Sequence, residues 1–135
     1  MYLTEISGVA INEYLYSTVG TAFDSVTLAA SAISADEDGS KYLQKGTVLA
    51  TITSGTDSGL VGPYSTRASD GRETSTNIIG ISETFADVTN GNALIAYLYK
   101  GTVDESKVYC DGVQGTVSSD AKTAMQTTSI DILFR

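Results

Sequence analysis

A chain of 135 residues with a hydrophobic fraction of 41% is sized and composed for one globular domain around one core, not for a disordered tract. Eight Lys and Arg against sixteen Asp and Glu leave a net charge of -8, which repels phosphate backbones and argues against nucleic acid as a partner. The absence of His and Trp removes the usual general base near neutral pH, and the single Cys110 can close no internal disulfide, so stability has to come from packing.

Thr, Ser, Val, Ile and Tyr dominate, and thirteen Gly separate short apolar stretches, which predicts strands joined by tight turns with helix in the minority. The start, Met1 to Ile6, lacks the basic stretch and long apolar run of a signal peptide. Charges interrupt every apolar run below membrane-spanning length, so the expectation is a protein made and retained in a soluble compartment, with no membrane partner. Residues 1–25 admit two readings. Tyr2, Tyr14 and Tyr16 with Leu3, Ile6, Val9 and Ile11 supply either a strand packed on its own domain or an extended arm that folds on a partner.

Residues 26–135 read as the β-rich domain. Val26–Ala29 and Gly46–Thr53 predict two strands flanking the acidic turn Ala35–Ser40, close enough in sequence to pair directly. The segment Gly55–Gly71, with the only Pro, predicts a long surface loop. Asn77–Ser82 and Ala93–Tyr99 carry the strongest strand signals, with Asn90-Gly91 between them as a hairpin turn. Lys100–Val103 continues or follows the second of these strands, and Asp111-Gly112 marks a further turn. Ser118–Gln126 has a Ser or Asp cap, an acidic first turn and helix formers, and predicts one short helix before a last strand at Ile130–Phe134. The fold class expected is α+β, predominantly β.

The motifs that touch on chemistry are each incomplete. Thr56-Asp-Ser-Gly59 is similar to the surroundings of a serine nucleophile, but a triad needs a base that this chain lacks. Ser119-Asp-Ala-Lys122 fits S-x-x-K without its companion elements and reads as a capped helix start. Ser34–Gly39 imitates half a calcium loop, yet Lys45 stands where the bidentate Glu belongs. Sixteen acids make some close pair inevitable, so their number does not identify a glycosidase. Without a G-x-G-x-x-G or Walker lysine motif there is no support for a nucleotide, and Cys110 reads as a small apolar filler. The expectation is a binding protein with no enzymatic activity, cofactor or metal.

Four stretches, taken in order, resemble the head decoration protein family of tailed bacteriophages, typified by the capsid-stabilising protein of phage lambda. Lys45-Gly-Thr-Val-Leu-Ala50 is similar to the family's early strand, and Ala68-Ser-Asp-Gly71 followed by Ile79-Gly-Ile81 to its loop and central strand. Tyr99-Lys-Gly-Thr-Val103 resembles its next strand junction, and Ser119–Ala124 followed by Thr128–Ile132 its short helix and last strand. The resemblance implies a small β-barrel or tulip-like domain that forms homotrimers on the outer surface of a DNA-filled head and holds major capsid protein subunits together. It further implies a virion location, after synthesis in the host cytoplasm, and a capsid-contacting N-terminal piece with Tyr2, Leu3, Thr4, Ile6, Val9 and Ile11 as the contacts. The competing expectation from the same turn-rich, Tyr-rich composition is another virion or surface binding module, such as a tail accessory or an adhesion domain.

Overall fold

The computed structural model describes residues 13–135. Its strands in chain order are β1 (Leu15–Leu28), β2 (Tyr42–Leu43), β3 (Val48–Thr51), β4 (Val61–Pro63), β5 (Ile78–Ser82), β6 (Ala86–Asp87), β7 (Ala93–Val103), β8 (Tyr109–Cys110), β9 (Val113–Gln114) and β10 (Asp131–Phe134). The α-helix, α1, is Ser119–Ala124. The protein is α+β and predominantly β.

The main sheet runs β1-β4-β3-β5-β7-β10, and β1 also pairs with β7, so the sheet curls back on itself into a small, partly closed barrel. The seam is uneven. β1 and β7 pair antiparallel along most of their lengths, from Leu28 opposite Ala93 to Leu15 opposite Val103, whereas β1 meets β4 only where Leu28 faces Val61.

Alternation along β3 sorts the interior into two clusters. Leu49 joins Leu28, Val61, Val88 and Ile95 on one face, while Val48 and Ala50 join Ile81, Leu98, Val103, Met125 and Ile132 on the other. Each fully buried Leu or Ile in these clusters contributes roughly 1.5–3 kcal/mol relative to exposure. Where β5 crosses from β3 to β7 the register with β3 slips, from Leu49 opposite Gly80 to Ala50 opposite Ile78. A Cβ on Gly80, at φ 152, would lie 2.1 Å from the Leu98 carbonyl oxygen, so only glycine lets the two strands approach this closely.

The helix is too short to persist alone and is held by its packing. Ser118 caps it, its Oγ accepting from the Ala121 N–H at 3.3 Å, and Ala121 and Met125, four apart on one face, are fully buried. The chain then turns back, and β10 adds parallel to β7 from Asp131 opposite Lys100 to Phe134 opposite Val103.

Three expectations are corrected. The strands at Val26 and Gly46 do not pair with each other, because β4 lies between them, parallel to β1 and antiparallel to β3. The segment Gly55–Gly71 is not surface loop throughout: it contains β4, whose Val61 is buried and whose Pro63 ends the strand, where a missing N–H is tolerated. Asn90-Gly91 lies in a turn in which the Gly91 N–H donates to the Val88 oxygen at 3.3 Å, but that turn follows β6 and does not close a tight β5–β7 hairpin. Asp111-Gly112 does form a two-residue hairpin turn between β8 and β9, both residues having positive φ, 53 and 81.

Candidate binding surface

The predicted contact residues Tyr2, Leu3, Thr4, Ile6, Val9 and Ile11 lie outside the described residues, while residues 15–25 of the expected arm or strand belong to β1, which runs on through Leu28. The described residues begin at Glu13, just ahead of β1. Tyr14 is fully buried there, and its hydroxyl donates to Glu83 Oε1 at 3.3 Å. Lys45 Nζ lies 3.6 Å from the same carboxylate and 5.9 Å from the centre of the Tyr14 ring. Burial, with the nearby Glu83 carboxylate adding to it, pushes the Tyr14 phenol far up, so it remains a neutral donor.

Both ends of the described chain converge on the last residue of β7. The Asp104 N–H donates to the Tyr14 oxygen at 2.7 Å, the Arg135 N–H to the Val103 oxygen at 3.0 Å, and the Arg135 guanidinium stands 5.6 Å from the Tyr16 ring centre. Tyr14 therefore enters β1 at the end of β7, on the side of that strand away from β10.

The β1–β7 ribbon carries apolar side chains that the described domain does not cover. Leu94 is 74% exposed and lies opposite Thr27, on the face that Ser25 and the half-exposed Phe23 share by alternation. At the other end of the ribbon, Thr102 stands between Ser17 of β1 and the exposed Leu133 of β10, close to Tyr16 and Arg135. Between these patches the β1 register jumps from Ser17 opposite Thr102 to Ala22 opposite Lys100, so residues 18–21 bulge out with Val19, 82% exposed, at their crest. Sequence reasoning missed this surface. The bulge breaks the two-residue period by which a strand is recognised, and only the pairing with β7 restores it.

The segment around the Pro is tied down. Arg72 Nε donates to both Asp70 carboxylate oxygens at 3.0 and 3.1 Å, and its Nη1 donates to the Ala32 and Pro63 carbonyl oxygens, each at 3.3 Å. Burial works to raise the Asp70 pKa, but these Arg72 contacts outweigh it and hold the carboxyl below the usual range. Thr66 donates through its N–H and hydroxyl to Asp111 at 3.0 and 2.7 Å, fastening the segment to the β8–β9 turn. A groove of about 490 Å3 runs between this segment, residues 31–34 and residues 42–44.

The residues singled out for chemistry have structural partners. Asp57 of the Thr56–Gly59 stretch accepts from the Ser31 hydroxyl, and Glu73, outside those motifs, accepts from the Gly71 N–H at 2.9 Å. Lys122 of the S-x-x-K stretch pairs with Glu105 at 2.9 Å. In the acidic turn, Asp36 Oδ1 accepts from the Ser40 N–H at 3.0 Å, and Asp38 Oδ1 accepts from the same N–H at 3.1 Å. The hydrogen bond these two carboxyls share raises the Asp36 pKa and lowers that of Asp38. Among the described residues no three His, Cys, Asp or Glu side chains stand close enough together to hold a metal ion. Cys110 is buried in the same cluster as Val108 and Val117, and burial pushes its thiol up.

No protein-family model matches the chain, and no curated protein matches it either.

Proposed function

We propose that this chain is a capsid decoration protein that binds the outer surface of a tailed-phage head as a homotrimer and stabilises it against the pressure of packed DNA. The observation that carries the reading is the concentration of exposed apolar side chains on the β1–β7 ribbon, Tyr16, Val19, Phe23 and Leu94, with Leu133 on the adjoining β10; Tyr42 and Val113 are exposed elsewhere. Such side chains, spread along β1, its bulge, β7 and the neighbouring β10, suit contact with other protein surfaces, another copy of the chain included.

The stretches that carry the family resemblance contribute buried residues to both clusters, Val48, Ala50, Ile81, Val103, Ala121 and Ile132 to one and Leu49 to the other. In this reading the segment with Tyr2, Leu3, Thr4, Ile6, Val9 and Ile11 adds to a sheet of the major capsid protein through main-chain hydrogen bonds. A closed trimer presents three such segments together, so individually weak contacts combine through effective concentration. The net charge of -8 suits a surface that faces solvent and not genome.

The test mixes the purified protein with expanded heads that lack their decoration and sediments the particles. The protein is expected to be trimeric by light scattering and to sediment with the heads. A monomer at working concentration that stays in the supernatant overturns the proposal.

A further inference from the structure

At the point where the β1–β7 ribbon flares from the barrel, a cleft of about 340 Å3 opens between Asp24, Tyr97, Tyr99 and Ser129, over a floor of Ile79 and Ile130. Tyr97 and Tyr99, two apart on β7, share a face, and their ring centres are 6.3 Å apart with the planes tilted by 55°. Asp24 lies directly opposite Tyr97 in the β1–β7 register and so joins them on that face. Its carboxylate accepts a local bond, from the Ser25 N–H at 2.7 Å, and its side chain is exposed. Burial, and next the charge of Asp24, push the Tyr97 phenol up, as expected for a carboxylate close to that ring.

Two tilted aromatic rings beside an exposed carboxylate offer the chemistry that receives a cation. The ring faces attract positive charge, the carboxylate neutralises it, and the isoleucine floor takes the alkyl stem of a long basic side chain. Arginine fits better than lysine, since its planar guanidinium can stack on one ring while its donors reach the carboxylate. We propose that this cleft receives an arginine side chain presented by a partner protein. The proposal deepens the reading of the chain as a protein-binding module and rests on it for the identity of the partner as a protein. The charge of -8 draws basic surfaces of any kind toward the molecule, and the cleft supplies the specific contact.

The experiment titrates the free protein with N-acetyl-arginine methylamide, and separately with its uncharged isostere N-acetyl-citrulline methylamide, while following the Tyr97 and Tyr99 ring resonances by NMR. Saturable shifts of both rings in the millimolar range are expected with the arginine probe, with binding of the citrulline probe at least about tenfold weaker. Asp24→Asn, an exposed change that the fold tolerates, is expected to weaken arginine binding roughly tenfold, and Tyr99→Ala by several-fold. Unmoved or non-saturating rings, equal binding of the two probes, or an Asp24→Asn variant of undiminished affinity would overturn the proposal. Since no heads are present, failure here leaves the decoration reading standing. Success here combined with no recruitment to heads removes that reading and not the cleft.

Discussion

Tyr14 shows how one side chain can fix the direction of a whole segment. Its ring is fully buried and its hydroxyl is bonded to Glu83, so the backbone that follows has to enter β1 beside Val103. Removing the ring leaves a cavity in a close-packed core, while removing only the hydroxyl deletes one hydrogen bond. Tyr14→Ala is therefore expected to lose about 3–5 kcal/mol, and Tyr14→Phe about 1 kcal/mol, both measured by urea denaturation. Equal losses for the two variants would mean that the hydroxyl, and not the packing of the ring, holds the joint. Arg72 acts comparably from the other side, drawing Asp70 and two backbone carbonyls into one fixed corner.

Among the elements, the short ones depend on ties between them. Glu105, in the turn after β7, accepts from the Val117 N–H at 3.0 Å and pairs with Lys122 of α1, coupling that turn to the helix. The Lys122 bond first, and the Val117 N–H next, hold the Glu105 carboxyl below its ordinary value of 4.5. A carboxyl with a depressed pKa binds fewer protons folded than unfolded, so its stabilisation is complete above the ordinary value and is lost as pH falls through the folded one. The urea midpoints of the native protein and Glu105→Gln are expected to converge in acid and separate above pH 4.5. A separation that does not change with pH would contradict this coupling.

Elements whose signals are local were legible in the sequence: the Ser118 cap before α1, the Asp111-Gly112 turn, and the apolar runs of β5 and β7. Elements defined by partners were not. β4 is three residues ending in Pro63 within a Gly-rich stretch, and it is a strand only because Leu28 and Thr51 flank Val61. The reach of β1 was hidden by residues 18–21, whose bulge interrupts the alternation. The Tyr97, Tyr99 and Asp24 cleft joins residues more than seventy positions apart, which no spacing rule could have brought together.

At the scale of the molecule, the barrel exposes Tyr16, Val19, Phe23 and Leu94 along the β1–β7 ribbon. On the proposed reading these side chains are buried in an assembly and not in the fold, so they matter for association and little for stability. Leu94→Lys is expected to change unfolding free energy by less than about 0.5 kcal/mol while weakening trimer formation or head binding at least about tenfold. Denaturation and sedimentation of the same preparation separate the two effects. A Leu94→Lys protein that assembles normally would place the working surface elsewhere.

The central claim is tested most directly by a cryo-electron density map of phage heads decorated with this protein. The account predicts trimers standing over the three-fold and quasi-three-fold positions of the outer shell, with the chain ahead of Tyr14 running down onto a capsid-protein sheet. A map with those positions bare, or with this chain found only on the tail, would contradict it.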